Sequence, residues 1–594
     1  MPIRSRAVGA VWLLVVLACR ADARGEHAEG STTTNGVARE TEPRPSSDAG
    51  TTSDAATSTG PSERAESETS AHRGDSEGSS SDEVGTAETA ATSAREEDLA
   101  FVAAPTFLPN PHPAAPQVGL VRVETTQPAT VELDIAGGGE TWSLVSDAAT
   151  HFTRPILGLK PETTYTVRVT ATGGGASITA EPLTWTTPPL PPDFPHLDLR
   201  RSEPTAMEPG MTLFNVRTGW SAVPSILVIV DHEGVVRWYF ADADLPARED
   251  PRRLADGTFM FCLSRCALAT VDVLGEVVGS WHAAEYPSPC TVPADAVPVP
   301  TLSFHHDVSR LESGDFLVLS TEARVVEDYP TSEEDPDAPT ETATVLGSVI
   351  VEFTPSGEIT KEISMLDLLD PTRIGRDSLD TSWPSGHLPD DTVARDWDHA
   401  NAVVYDAPSD AYYVSLRHQD AVIKVDRASE TLTWILGTHA NWREPWSDRL
   451  LTPVGALAWP FHQHAMEPTP LGLGMYDNGN HRAAAFEPRG TEYSRVVVYA
   501  IDEAAMTVEQ VWAYGPPEGE EAFFSSAMGD FDALPETGNV LLVNSQVVAG
   551  RASYGEIVEV SPDGSRVFHL RAGGAEGTVY TINRAERVPD MRFW

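Results

Sequence analysis

Three times in this chain a histidine stands where an apolar run begins: Phe304-His305-His306-Asp307-Val308, Asp398-His399-Ala400-Asn401 and Phe461-His462-Gln463-His464-Ala465. The middle one opens Asp396 to Gly437, a stretch that packs polar side chains into strand-like sequence. His399 and Asn401 are two apart in a segment continuing Val403-Val404-Tyr405, a spacing that predicts one shared face on a strand. Pro408, Ser409 and Asp410 supply a turn. The return run Ala411 to Arg417 then brings a cation into the same sheet, and Ala421 to Asp426 with Thr431 to Leu436 completes a predicted four-stranded meander. Such residue types suit chemistry on an anion: imidazole as nucleophile or acid and base, guanidinium as a planar fork, carboxamide as donor. By itself the stretch reads equally as satisfied surface polars on one blade of an all-β protein.

The elements around it argue for convergence. After Pro195 an apolar strand, an Asp or Gly turn and a second strand often carrying Trp recur. The hairpins are Ile226 to Phe240, Leu268 to Trp281, Val349 to Ile363, Ala421 to Leu436, Val496 to Trp512 and Ile557 to Leu570. With inner hairpins such as Leu311 to Leu319 before most of them, they predict a six-bladed β-propeller over 196–594. The insertions Glu327 to Thr344 and Pro371 to Val393 are expected on loops. In a propeller the innermost strands face one channel, so a histidine from each start, His305 or His306, His399, and His462 or His464, would meet there with Asn401 and Arg417.

Upstream, residues 101–188 carry short alternating runs ending in Leu159 to Thr170, which predict a small fibronectin-III-like β-sandwich whose Tyr165 hydroxyl closes a corner onto backbone. Residues 20–100 are rich in Ser, Thr, Glu, Ala and Gly and predict a disordered acidic tether, since such a segment cannot bury enough apolar area to offset its ordering entropy. Residues 1–19 read as an export signal: Arg4 and Arg6, a short apolar run, then Val16-Leu17-Ala18-Cys19, similar to the bacterial lipoprotein signal in which the Cys is lipidated. The expected location is therefore periplasmic, or membrane-anchored through Cys19.

The chain of 594 residues has 41 Lys plus Arg against 88 Asp plus Glu, a net charge of -47 that argues against a nucleic-acid partner. Cys262, Cys266 and Cys290 lack the second ligand pair of a zinc site and predict a structural disulfide or buried thiols.

The motifs in order, His305-His306-Asp307, Trp397 to Val403, Ser415 to Asp426, Trp434 to Gly437, Gln463-His464-Ala465 and Met475 to Gly479, resemble the bacterial arylsulfate sulfotransferases. The resemblance implies a periplasmic propeller with an N-terminal sandwich, moving a sulfuryl group from a phenolic sulfate ester to a phenol without cofactor or nucleotide donor. It implies His464 as the transiently sulfated nucleophile, with His306, His399, Asn401 and Arg417 around it. It leaves monomer or homodimer open. Two other readings stand beside it. Three converging histidines could hold Zn²⁺ for a hydrolase or lyase, against which Arg417 would sit unfavourably. Propeller and sandwich could also form a binding platform without catalysis.

Overall fold

The computed structural model describes residues 98–594 apart from 219–224, 246–248, 390–391, 516–522, 551 and 574–578. The export signal and most of the tether lie outside the described residues. Folded structure is present from Asp98, because Leu99 is buried and Thr126 Oγ1 both donates to the Asp98 carbonyl and accepts from Ala100 N.

Period-two burial builds the first domain. In Thr164–Gly173 the residues Tyr165, Val167, Val169 and Ala171 are buried while Thr164, Thr166 and Arg168 are exposed. The long strand Gly119–Gly137 pairs with Thr106–Pro109 and Ala149–Ile156 over its first half, and with Glu140–Val145 and Thr164–Gly173 over its second. One strand thus ties together both halves of a seven-stranded array. The Tyr165 hydroxyl accepts from Lys160 N at 2.8 Å, the corner expected from the sequence.

From Leu197 onward the chain forms a six-bladed propeller, and all six outer hairpins read from the sequence are present. The ring closes by exchanging its ends. Leu197–Ser202 adds to the outside of the sixth blade through Arg566–Gly573, while Ala585–Val588 pairs with Met211–Thr218 on the inside of the first.

The recurrent tryptophans have a geometric reason. Trp238 Nε1 donates to the Val273 carbonyl, Trp281 Nε1 to Pro355, and Trp512 Nε1 to Pro562, each in the outer turn of the following blade. Trp434 Nε1 reaches Glu503 of the next blade in the same way. An indole is apolar over most of its area with one donor at its edge, so it fills the wedge between blades and still satisfies its N–H.

One expectation needs correction. The insertion Glu327 to Thr344 is half strand: Phe316–Pro330 and Thr340–Phe353 pair beyond the blade as one long hairpin whose tip is 331–339, because alternating residues continue along both arms. Pro371 to Val393 behaves as a loop over its described residues, which include a 3₁₀ turn at Pro384–Gly386. Cys266 and Cys290 form the disulfide, leaving Cys262 a buried thiol.

Candidate active site

The inner strands of the third, fourth and fifth blades, His305–Arg310, Ala400–Asp406 and His464–Thr469, all lose register at their first residues. The backbone there enters the left-handed region at His306 (φ 59°), His399 (φ 45°), His462 (φ 53°) and Ala465 (φ 37°). Such conformations are strained for residues with a Cβ and persist only where surrounding bonds hold them. Buried aspartates do the holding. Asp398 accepts from Ser348 N and Oγ, Asp420 from His462 N, and Asp307 from Val403 N.

These bulges correct the simple strand reading. His399 precedes its strand and Asn401 sits at the bulge, so the two do not occupy regular alternating positions. Arg417 also lies one residue beyond Ala411–Leu416, opening the 3₁₀ turn Arg417–Gln419. The bulges and the turn re-aim the polar side chains at the strand ends.

His464 is held in one tautomer. Asn478 Nδ2 donates to the Ser525 and Met528 carbonyls, 2.8 Å each, so its Oδ1 faces the ring. His464 Nδ1, 2.7 Å from that oxygen and 3.2 Å from the His462 carbonyl, must carry the proton. Its Nε2 keeps the lone pair, met by Met528 N–H at 3.2 Å. Burial, then the Arg417 charge, lowers this imidazole to about 3, so it is neutral near pH 7.

A second chain of bonds fixes His306. His305 Nε2 donates to the Ser320 carbonyl at 3.0 Å, which leaves His305 Nδ1 as an acceptor for His306 Nδ1 at 2.9 Å. His306 Nε2 therefore also carries a lone pair. Both rings lie beside Trp383, at 5.2 Å for His305 and 5.6 Å for His306, but His306 is the one 4.9 Å from His399. Burial, followed by the neighbouring His305 and His464, holds His306 well below the ordinary imidazole value.

His399 differs from both, because a carboxylate stands behind it: Nδ1 is 2.6 Å from Asp396 Oδ2. Burial pushes Asp396 up and His399 down, and the neighbouring Asp398 and His418 respectively act in the same directions. One proton on the Nδ1–Oδ2 axis satisfies both groups and leaves Nε2 to gain or lose another.

Arg417 Nη1 donates to His418 Nε2 at 2.5 Å and Nη2 to the Ser526 carbonyl at 3.3 Å; Asp377 Oδ2 stands 3.6 Å from Nη1. His418 Nδ1 donates in turn to the Asp396 carbonyl. Arg417 thus links the fourth blade to the loop that carries Met528. Asn401 commits one amide hydrogen to the Gln463 carbonyl at 2.8 Å, while its buried Oδ1 has no side-chain or backbone partner.

Sequence reasoning missed Trp383, whose ring stands 4.6 Å from His399 and 3.9 Å from His387, with the Arg265 guanidinium 5.3 Å from its centre. It also assigned nothing to Asp396, Asp377, His418, His462 or Asn478. Asn478 lay inside a quoted motif, and the aromatic and acidic content of the 371–393 insertion was the available signal for Trp383 and Asp377. Gly375 lets that insertion press against the site, since a Cβ there would stand 1.9 Å from the His418 carbonyl oxygen.

Among the described residues, the groups that bring three candidate metal ligands within 4.8 Å of one another are Asp377, His462, His481 and Asp396, His399, His418. Neither is the His306, His399, His464 set weighed from sequence.

Over 148 residues the chain is 34% identical to the arylsulfate sulfotransferase AssT of Escherichia coli O6:H1, and over 149 residues 32% identical to that of Lelliottia amnigena. Each alignment covers 22% of this chain and 24% of the relative, so the chain spans about a quarter of the length of the curated relatives it matches. Among solved structures, a putative 6-phosphogluconolactonase from Bacteroides fragilis is similar at 10% identity with a TM-score of 0.32, covering 65% of this chain and all of that one. The arylsulfotransferase (ASST) family description matches residues 199–578, the propeller that carries every residue above, and the chain belongs to that family.

Proposed function

We propose that the protein transfers a sulfuryl group from an aryl sulfate to a phenol through a sulfated His464. The observation carrying this reading is the Asn478-fixed tautomer of a neutral His464, which holds an unprotonated Nε2 close enough to Arg417 to feel its charge. His464 Nε2 attacks sulfur, the S–O bond to the aryl group breaks, and its electron pair leaves on the phenolate oxygen. Charge on the sulfonate oxygens is met by Arg417 N–H groups not used by His418 and Ser526. The Asp396-backed His399 supplies a proton to the departing phenolate from Nε2, then takes one from the acceptor phenol, whose oxygen attacks sulfur and frees His464. His306 has only a neutral imidazole behind its Nδ1, which favours His399 for this role. Trp383 offers an aromatic wall beside His399 for the phenyl rings. The disulfide supports an oxidising, exported location, with lipidation at Cys19 as the proposed anchor.

Mixing enzyme with a chromogenic aryl sulfate alone should release about one phenol per site in a burst, and peptide mass spectrometry should place the sulfuryl group on His464. His464→Ala should abolish both, while His399→Gln should slow the burst by about 10²-fold to 10⁴-fold and still permit labelling. Sequential kinetics, or a label on His306, would count against the assignment.

A further inference from the structure

Next to the sulfuryl site three side chains from separate segments face one another. Asp377 comes from the insertion, His462 from the approach to the fifth blade, and His481 from the loop after Gly472–Asp477. Asp377 Oδ2 is 3.2 Å from His462 Nε2, and Oδ1 is 3.5 Å from His481 Nε2. For N and O ligands at zinc-like bond lengths, a tetrahedral site sets its ligand atoms roughly 3.3–3.5 Å apart. The two contacts, made through the two different oxygens of Asp377, lie near that spacing, and ligand atoms of all three residues fall within 4.8 Å of one another. The Asp396 cluster does not: Asp396 Oδ2 and His399 Nδ1 are 2.6 Å apart, a hydrogen bond too short to be an edge around an ion, and His418 Nδ1 is already donated to backbone.

Both imidazoles present Nε2: His462 Nδ1 donates to Asp420 at 2.9 Å, and His481 is held through its backbone N–H, which donates to Glu492 Oε1 at 3.0 Å. His462 is held as metal-binding histidines are, the far nitrogen donating to an acceptor that fixes ring and tautomer. The backbone is set for it: His481 and Arg482 are both left-handed, at φ 59° and 40°. Charge points the same way. Asp377, Asp420 and Glu492 bring three carboxylates to the two imidazoles, with the Arg417 guanidinium 3.6 Å from Asp377.

We infer that Asp377, His462 and His481 bind one divalent transition-metal ion of the Zn²⁺ class, leaving a fourth position for water. The ion would clamp the insertion onto the fifth blade. It would also couple to the transfer site from two sides, because His462 offers its carbonyl to His464 Nδ1 and Asp377 faces Arg417. This inference does not depend on sulfuryl transfer, since its test reads metal.

Full-length protein stripped with chelator and dialysed against Co²⁺ should retain one equivalent, with the intense visible bands of tetrahedral Co²⁺, displaced by Zn²⁺. Zn²⁺ should also raise the melting temperature in a concentration-dependent way. Glu492→Gln should weaken binding about 10-fold to 100-fold, and His481→Gln should abolish the bands and the melting shift. If His481→Gln does not fold, the wild-type spectrum and the Glu492→Gln affinity still decide. A wild-type protein that retains no ion, a weak octahedral spectrum, or equal binding in wild type and both variants would overturn the site.

Discussion

At the scale of the residue, what separates His464 from an ordinary imidazole is its partner rather than its type. Asn478 can only present Oδ1 to the ring because both its amide hydrogens are taken by the Ser525 and Met528 carbonyls. The sequence alone suggests that activity fades through the usual imidazole range. Burial and Arg417 move that limit down to about 3, so the burst should persist well below pH 6 as far as His464 protonation is concerned. Asn478→Asp tests this directly. A carboxylate at Nδ1 keeps the tautomer and favours the imidazolium, so the His464 pKa should rise. The pH midpoint of the burst should move upward, because more His464 is then protonated at any given acidic pH. An unmoved midpoint in single-turnover experiments would show that Asn478 does not set the state of His464.

At the scale of the element, the inter-blade tryptophans illustrate how a recurrent residue becomes a packing device. Trp238 is fully buried, stacks on Phe259 with centroids 4.7 Å apart, and bonds the Val273 carbonyl. Trp238→Phe keeps an aromatic ring but leaves that carbonyl unmatched and a gap behind it, a cost of about 2–3 kcal/mol. Trp512, only half-buried, should cost under about 1 kcal/mol on the same change, because water can replace the lost donor at Pro562. Urea unfolding of the two variants checks the ordering. The outer hairpins were legible because turn chemistry and alternation are local. The bulges at His306, His399 and Ala465 were not, since they depend on aspartates bonding across to other segments, Asp398 to Ser348 and Asp307 to Val403 among them.

At the scale of the whole molecule, the first domain is locked to the propeller by Arg237. Its guanidinium forks onto Glu140 at 2.6 and 2.8 Å, reaches the Gly158 carbonyl at 2.9 Å, and is backed by Asp231. The hydrogen bond from Arg237 is the main cause holding Glu140 at about 2, below its ordinary 4.5. Between these values the unfolded chain binds a proton that the folded chain refuses, so this contact stabilises fully above pH 4.5 and is lost as pH falls through about 2. The difference corresponds to roughly 3 kcal/mol at most. Glu140→Gln should therefore lower stability at pH 7 by up to that amount and flatten the acid limb between pH 5 and 2, measured by thermal melts across pH. An acid limb identical to wild type would exclude the pair as its source.

What the sequence determined by itself is whatever is written in local pattern: six outer hairpins, the Tyr165 corner, and histidines placed at three equivalent strand starts. These depend on period-two alternation and turn residues, which act over a few positions. The tertiary structure alone decided how the side chains are tuned. His306 rather than His305 faces His399 because a Ser320 carbonyl captures the other ring, and Asp396 becomes the partner of His399 through a bend that strand spacing does not predict. Closure of the ring by Leu197–Ser202 and Ala585–Val588 is likewise tertiary, since it joins strands from opposite ends of the propeller. Tautomers, burial and charge balance are sums over groups remote in sequence, and only the folded channel brings those groups within bonding distance of one another.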